Sequence, residues 1–244
     1  DAVKGLLEPR LFFFTITFAG FWLMFYQLFD ILPNFIDDWI DSRGPAGALQ
    51  SILGEGAVPT VNGGNLTQEW IINVNALLIS VFAFLVGFLT GRLRSLTAIV
   101  IGIAISAAGI YALGVSMNGW MTLGAIAIFS VGEMMASPTK MRYLASIAPK
   151  GKDGLYMGYV NMTVGIGWSI GSVVAGEMYQ ENGDKVVLAR RYLTEQAGVE
   201  GSVVEALDRG DVMAFFERTV GVDAWGAREL LWETYEPQSM WLVF

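Results

Sequence analysis

Apolar stretches of about twenty residues alternate with short charged punctuation along this chain. Leu11 to Leu32 is the first, closed by Pro33. Trp70 to Thr90 is the second, with no charge between Glu69 and Arg92. Residues 96–116 form the third, ending in the turn Met117-Asn118-Gly119, and 120–147 the fourth, with Pro138 as an expected kink. Residues 154–178 form the fifth, and 238–244 (from Gln238 through Trp241 to Phe244) read as the start of a sixth. A span of the hydrocarbon core needs about 20 apolar residues, so the pattern predicts an all-α, multi-pass integral membrane protein. Two polar segments interrupt it. Residues 33–69 read as a long loop. Residues 179–237 read as a small helical subdomain, because Lys185–Gln196, Val203–Leu207, Val212–Val220 and Ala224–Tyr235 each carry apolar residues at helical spacing, with Gly198, Gly201, Gly210 and Gly221 between them.

Charge placement gives the orientation. The short basic turns Gly91-Arg92-Leu93-Arg94 and Pro149-Lys150-Gly151-Lys152 fall on one side with Lys4 and Arg10, which predicts a cytoplasmic N-terminus. Asp37, Asp38, Asp41, Glu55 and Glu69 fall on the other, so both polar segments are expected outside. Residues 1–10 are too polar for a cleavable signal peptide. Asn65-Leu66-Thr67 matches the glycosylation pattern and is read as a chance match. The net charge of −8 argues against a nucleic-acid partner. With neither Cys nor His in the 244 residues, there is no disulfide framework, no thiolate metal site and no imidazole proton shuttle. Any proton relay has to run on carboxylates. No convergent nucleophile, base and oxyanion donors are visible, so no enzyme, metal or cofactor is predicted.

One carboxylate stands out. From Ser95 to Gly132 no residue is charged; Glu133 then lies near the middle of the fourth span. A lone acid there costs about 2.5–3.5 kcal/mol on insertion scales and faces a bundle interior or a watery cavity. It is either a paired structural carboxylate or a binding and proton-coupling group. Ser137 follows one turn later on the same face, whereas Lys140 and Arg142 are expected to snorkel toward the cytoplasm. Trp22, Tyr26 and Asp30 form an i, i+4, i+8 stripe on the first span, with Asp30 near its outer end. Asn73 and Asn75 are either helix–helix glue or substrate contacts. Gly167-Trp168-Ser169-Ile170-Gly171 is a close-packing pattern on the fifth span, where Asn161 and Trp168 are also candidates to line a cavity.

Three pieces of sequence resemble a known family. Phe21-Trp22-Leu23-Met24-Phe25-Tyr26-Gln27 is similar to a seventh-helix motif, Asn75-Ala76-Leu77-Leu78-Ile79 to an eighth-helix motif, and Gly132-Glu133, Ser137-Pro138 and Ala148-Pro149-Lys150 to a tenth-helix motif. All three belong to the proton-coupled oligopeptide transporter branch of the major facilitator superfamily. The resemblance covers roughly residues 11–178. It implies that the chain is the C-terminal six-helix half of such a bundle, with a small helical extracytoplasmic insertion and a partner N-terminal half outside this sequence. It also implies that Glu133 receives a peptide amino group, that Asn75 hydrogen-bonds the peptide, and that Trp22 and Gln27 line the cavity. Two positions depart from the pattern. Tyr26 stands where the family has an acid implicated in proton coupling, with Asp30 one turn later as its candidate substitute. Gly87 to Arg94, containing Arg92 and Arg94, resembles the superfamily's gating loop, with Gly91 where an Asp is usual.

The function expected is alternating-access transport of a small solute such as a di- or tripeptide, driven by a proton gradient, in a bacterial inner membrane. The alternative is a non-transporting receptor or assembly protein acting through residues 179–237.

Overall fold

The structure, a computed structural model, describes residues 8–244. Lys4 and most of the segment read as too polar for a signal peptide lie outside the described residues. The first long helix, α1, runs Pro9–Asp30, with Pro9 in its first turn where no amide donor is needed. The chain does not stop at Leu32 as expected. It breaks at Ile31 and restarts as α2, Leu32–Trp39, with Pro33 in the new first turn. Pro33 disfavours helical backbone at the residue before it, but suits the start of a helix, so it redirects the chain and does not end the helical run.

Residues 33–69 are more structured than a loop. α2 is followed by α3 (Arg43–Leu53) and a two-stranded antiparallel hairpin, β1 (Thr60–Val61) with β2 (Asn65–Leu66). Asn62 (φ 46°), Gly63 (φ 78°) and Gly64 (φ 104°) make its turn, a left-handed run that explains the Asn-Gly-Gly sequence. Asn65 is buried; its Oδ1 accepts from the Ser42 amide at 2.7 Å, and its Nδ2 donates to the Asn62 carbonyl at 3.1 Å. That engagement gives the glycosylation-like match a structural role.

The second span is two pieces, α4 (Gln68–Ile72) and α5 (Val74–Thr90), separated at Asn73. Then come α6 (Ser95–Leu113), α7 (Gly119–Ile147) and α8 (Asp153–Met178). Among the described residues, four helical stretches are long and apolar enough to cross a membrane: Pro9–Asp30, Gln68–Thr90, Ser95–Leu113 and Gly119–Ile147. α8 is 26 residues long, or about 39 Å, but more polar, and it lies along α1. α7 packs against α6 and α5; α1 packs against α8; α7 and α8 join the two groups.

Small residues set these contacts. A Cβ added at Gly132 of α7 would collide with the Gly102 carbonyl oxygen of α6, and one at Gly167 of α8 with the Ala19 carbonyl oxygen of α1. The pattern Gly167 to Gly171 therefore does what small residues do between membrane helices: it lets backbones touch. The outward faces stay apolar. Phe84 on α5 is 88% exposed, with Leu77, Val81, Leu85 and Phe88 exposed around it. This is a surface for lipid or another helix, not for water.

At one end of the bundle, α2, α3 and the hairpin meet the segment after α8. A π-helical turn, Tyr179–Gly183, leads into α9 (Lys185–Glu195), α10 (Gly201–Glu205), α11 (Val212–Val220) and α12 (Ala224–Tyr235). Three of these helices start or end within one residue of the sequence expectation, because their caps are local. Asp184 accepts from the Val186 and Val187 amides, Asp223 accepts from the Gly226 amide, and Gly221 takes the left-handed conformation after α11. What the sequence did not reveal is that the two polar segments form one layer. Trp39 of α2 is fully buried, donates to the Gly183 carbonyl at 2.8 Å and packs on Trp232 of α12. Residues 237–242, expected to open a sixth span, form a 3-10 turn instead. Pro237, Met240 and Trp241 of that turn are buried, and a Cβ at Gly114 would meet the Gln238 carbonyl at 2.8 Å, so these apolar side chains are satisfied inside the cap.

The cap has its own charge cluster. Lys185 Nζ lies 3.3 Å from Asp38, which also accepts from the Tyr179 hydroxyl, and Arg209 pairs with Asp184 at 2.6 Å. Asp37 sits among them with its pKa raised, first by burial and then by the neighbouring Asp38 and Glu69 charges, against the opposing pull of Lys185 and Arg228. An acid whose folded pKa lies above its unfolded value destabilises the fold while ionised, and the penalty disappears as pH falls through the folded value.

Two outcomes follow from this packing. Gly132→Ala should lower the thermal midpoint of the protein in detergent, by about 1–3 kcal/mol of overpacking. Gly124→Ala, where a Cβ meets nothing within 4 Å, should not lower it; equal effects at the two sites would contradict the close contact. Asp37→Asn should raise the midpoint at pH 7 by on the order of 1–2 °C, and the gain should shrink as pH is lowered toward the unfolded value of 3.8. A gain independent of pH would show that the carboxylate charge is not its source.

Candidate functional site: a polar stripe inside the helix bundle

Glu133 is fourteen residues from either end of α7, hence about 21 Å from each along the axis. Its face of the helix carries Ser130, Glu133, Ser137 and Lys140, spaced i, i+3, i+7 and i+10, which is one stripe on a 3.6-residue helix. α5 flanks the stripe on one side and α1 on the other. From α5, the buried Asn75 uses its Nδ2 to donate to both Glu133 Oε2 and Ser130 Oγ, each at 3.0 Å. Ser130 in turn donates to the Ile126 carbonyl at 2.7 Å, so its oxygen is free to accept from Asn75. The break at Asn73 places Asn75 in the first turn of α5, within reach of the carboxylate. Of the two readings of Asn75, the observed geometry is that of a helix–helix contact, made directly to the acid.

On the α1 side the stripe meets aromatic rings. Lys140 is only 6% exposed, and its Nζ lies 3.9 Å from the Trp22 ring centroid and 6.0 Å from that of Phe18. The expected snorkelling of Lys140 to the membrane surface is thereby corrected. The side chain of a helical residue leans toward the helix N-terminus, here into the bundle, and the face of an indole is available to hold the ammonium there. Such a contact contributes about 2 kcal/mol when desolvated. Neither an ion pair nor a hydrogen bond reaches Lys140 among the described residues. Arg142, by contrast, is exposed and donates to Ser95 at 3.2 Å.

The stripe predicted on α1 faces α8. Tyr26 stacks on Trp168 with centroids 5.1 Å apart, Trp22 lies 6.0 Å from Tyr26, and Asp30 accepts from Ser172 at 2.6 Å. These contacts repeat every four residues on both helices, Tyr26 with Trp168 and Asp30 with Ser172. Trp168 is half exposed, so the aromatic cluster opens to the surroundings of the half-bundle.

Other candidates sit elsewhere. Gln27 is fully buried, donates to the Leu23 carbonyl at 2.7 Å and fills the space beside Gly171, where a Cβ would come within 3.0 Å of its amide nitrogen. It belongs to the α1–α8 contact, not to an open wall, because the glycine opposite leaves room for it. Asn161 is exposed on α8, and Ser137 is half-buried on the stripe. In the loop between α5 and α6, Arg92 lies over the Phe88 ring at 4.7 Å and Arg94 is exposed just before α6. Sequence reasoning missed Ser130 and Lys140 as members of the stripe. Their spacing from Glu133 was the available signal.

The comparisons agree on the broad class. A sequence model described as Major Facilitator Superfamily matches residues 47–188, more than half of the chain. A curated Bacillus subtilis (strain 168) protein, "Uncharacterized MFS-type transporter YttB", is 32% identical over 117 residues, covering 47% of this chain and 30% of that protein. The chain therefore spans well under two thirds of that relative's length. No solved structure matches.

Removing Asn75 leaves a buried carboxylate without its donor, at a cost of about 1–3 kcal/mol. Asn75→Ala should lower the thermal midpoint of the protein, and should do so much less in a Glu133→Gln background. Additive effects of the two substitutions would show that the hydrogen bond does not couple them.

Proposed function

Because the chain belongs to the major facilitator superfamily, we propose that it forms one half of the translocation path of a secondary active transporter. The observation that carries this reading is a hydrogen-bonded carboxylate at the midpoint of a membrane helix, Glu133 held by Asn75. An acid in that position is costly unless it serves a pathway, and transport supplies the reason for keeping it. The second wall is an N-terminal six-helix half, and the open apolar and aromatic faces of α5 and α8 are available to it. Alternating access then rocks the two halves about the site. Orientation is with the N-terminus and the turns containing Arg92, Arg94, Lys150 and Lys152 cytoplasmic, in a bacterial inner membrane.

In this reading the substrate is a di- or tripeptide or a similar small solute. Its amino group meets Glu133, the Asn75 amide contacts its polar backbone, and Trp22, Tyr26 and Trp168 supply apolar contact. Proton coupling runs on carboxylates because the chain has no His. Glu133 is the first candidate. Protonation favours whichever state buries it away from a cation, and only such a difference between states shifts their populations. Asp30 is the second; its bond to Ser172 ties α1 to α8 and places it to sense their relative movement.

A second reading is supported by the size of the cap: α9 to α12 have their own buried residues, including Leu188, Val212, Phe216 and Leu231, which fits a receptor or assembly protein acting through that layer. The two readings rank variants in opposite order.

The test is uptake of a labelled dipeptide into proteoliposomes containing the full-length carrier, with an imposed proton gradient. Uptake is expected in the wild type and should fall to background in Glu133→Gln. Unchanged gradient-driven uptake in that variant would remove Glu133 from the mechanism. Full uptake by Glu133→Gln alongside loss of cellular function on deleting residues 179–237 would favour the cap reading.

A further inference from the structure

α1 and α8 pack along one another, and both change course at the cap end of the bundle. α1 breaks at Ile31 and restarts as α2 with Pro33 in its first turn. α8 runs into the π-helical turn Tyr179–Gly183, closed by the Asp184 amide donating to the Tyr179 carbonyl at 2.8 Å. Prolines and π-helical turns are the usual places where helices bend, and π turns recur at functional positions. Beyond the two breaks the pieces hold on to each other. The Asp38 carboxylate of α2 accepts from the Tyr179 hydroxyl and from the Lys185 amide at 3.4 Å, and it pairs with Lys185 Nζ at 3.3 Å. Beside it, the Trp39 indole donates to the Gly183 carbonyl at 2.8 Å. Two adjacent residues of α2 thus grip residues 179–185.

Asp37 stands next to this grip and takes no part in it. Among the described residues neither a hydrogen bond nor an ion pair reaches its carboxylate; only its backbone carbonyl accepts, from Arg228 at 3.4 Å. It lines a cavity of about 330 Å³ between α2 and the residues after α8, together with Asn34, Asp38, Tyr179, Asp184 and Arg209. The charges that act on it are Asp38 on its own helix, Glu69 on α4, Lys185 on α9 and Arg228 on α12. We propose that this junction is a proton-sensitive clasp between the cap ends of α1 and α8, tightened when Asp37 takes up a proton from the cavity. The clasp does not depend on the transport reading, because it would serve equally a protein acting through its cap.

Charge sets the direction of the effect. An ionised Asp37 is half-buried and repels both Asp38, on which the clasp closes, and Glu69. Opening the junction lets water screen that repulsion. Protonation removes it and leaves Asp38 to its donors from Tyr179 and Lys185. Burial first, and the two acids after it, hold the folded pKa of Asp37 above 3.8, against the pull of Lys185 and Arg228. Closure therefore strengthens as pH falls through the folded value, and the gain from Asp37 is complete below 3.8.

The experiment is hydrogen–deuterium exchange on the full-length protein in lipid nanodiscs, read as protection factors of the amides in 179–190 relative to those of α6, at about pH 7.5 and about pH 4.5. In the wild type this ratio should rise on acidification by about threefold or more, since each unit between the folded and unfolded pKa is worth about tenfold. Asp37→Asn should give the high ratio at both pH values. Asp38→Asn should lower the ratio at both, because the ion pair at the centre of the clasp is gone. Glu69→Gln should shrink the rise without abolishing it. No rise in the wild type, or a rise of full size in Asp37→Asn, would overturn the proposal. An unchanged ratio in Asp38→Asn would show that these contacts do not hold the junction and would overturn it as well. Should Asp37→Asn fail to fold, Glu69→Gln decides, and an undiminished rise there counts against the clasp.

Discussion

A polar group in the hydrocarbon core has no water to turn to, and the arrangement of these helices follows from where its polar groups find partners. Glu133 is the extreme case. Its carboxylate is held from a neighbouring helix by Asn75, and that one amide also engages Ser130 of α7. The contact requires α5 and α7 to run close together at that depth, and it requires α5 to begin just before Asn75, which the break at Asn73 provides. About 100° further round α7, Gly132 lets the α6 backbone approach. Neighbouring residues in sequence thus meet different helices: Gly132 packs against α6 and Glu133 bonds to α5.

The same division runs through the α1–α8 pair. Gly167 and Gly171 bring α8 against α1, and the room they leave is taken by the backbone at Ala19 and the amide of Gln27. Tyr26 and Asp30 lie one helical step around from that seam and meet Trp168 and Ser172. Small residues position the helices, and the polar and aromatic residues beside them are then presented at fixed spacing. Helices packed in this way hold those side chains at set positions relative to one another.

The cap works by different rules, because it meets water. Its helices are short, α9 and α12 begin at aspartate caps and α11 ends at Gly221, and the two polar segments are held to one another by aromatic burial: Trp39 and Phe35 from one, Trp232 and Trp241 from the other. The ion pairs Lys185–Asp38 and Arg209–Asp184 cross between elements of this layer. Its junction with α7 is backbone to backbone, with the Asp41 amide donating to the Met117 carbonyl and the Gly119 amide to the Asp41 carbonyl.

Read without coordinates, the chain already determined a great deal. Apolar run lengths marked the four helical stretches that, among the described residues, are long enough to cross a bilayer, since crossing demands that length. Local caps fixed the short helices of the cap, since a helix end is decided by the few residues around it. The isolation of Glu133 made it the leading candidate residue, since a lone charge in such a run is conspicuous. Pairings between distant segments lay beyond it, and only the tertiary structure decided them. That Asn75 bonds Glu133, that Gln27 turns into a helix seam, that Lys140 folds back onto Trp22, and that residues 237–242 tuck under the cap all depend on which neighbour happens to stand opposite. A sequence states what each side chain needs; which partner meets that need is set by helix packing.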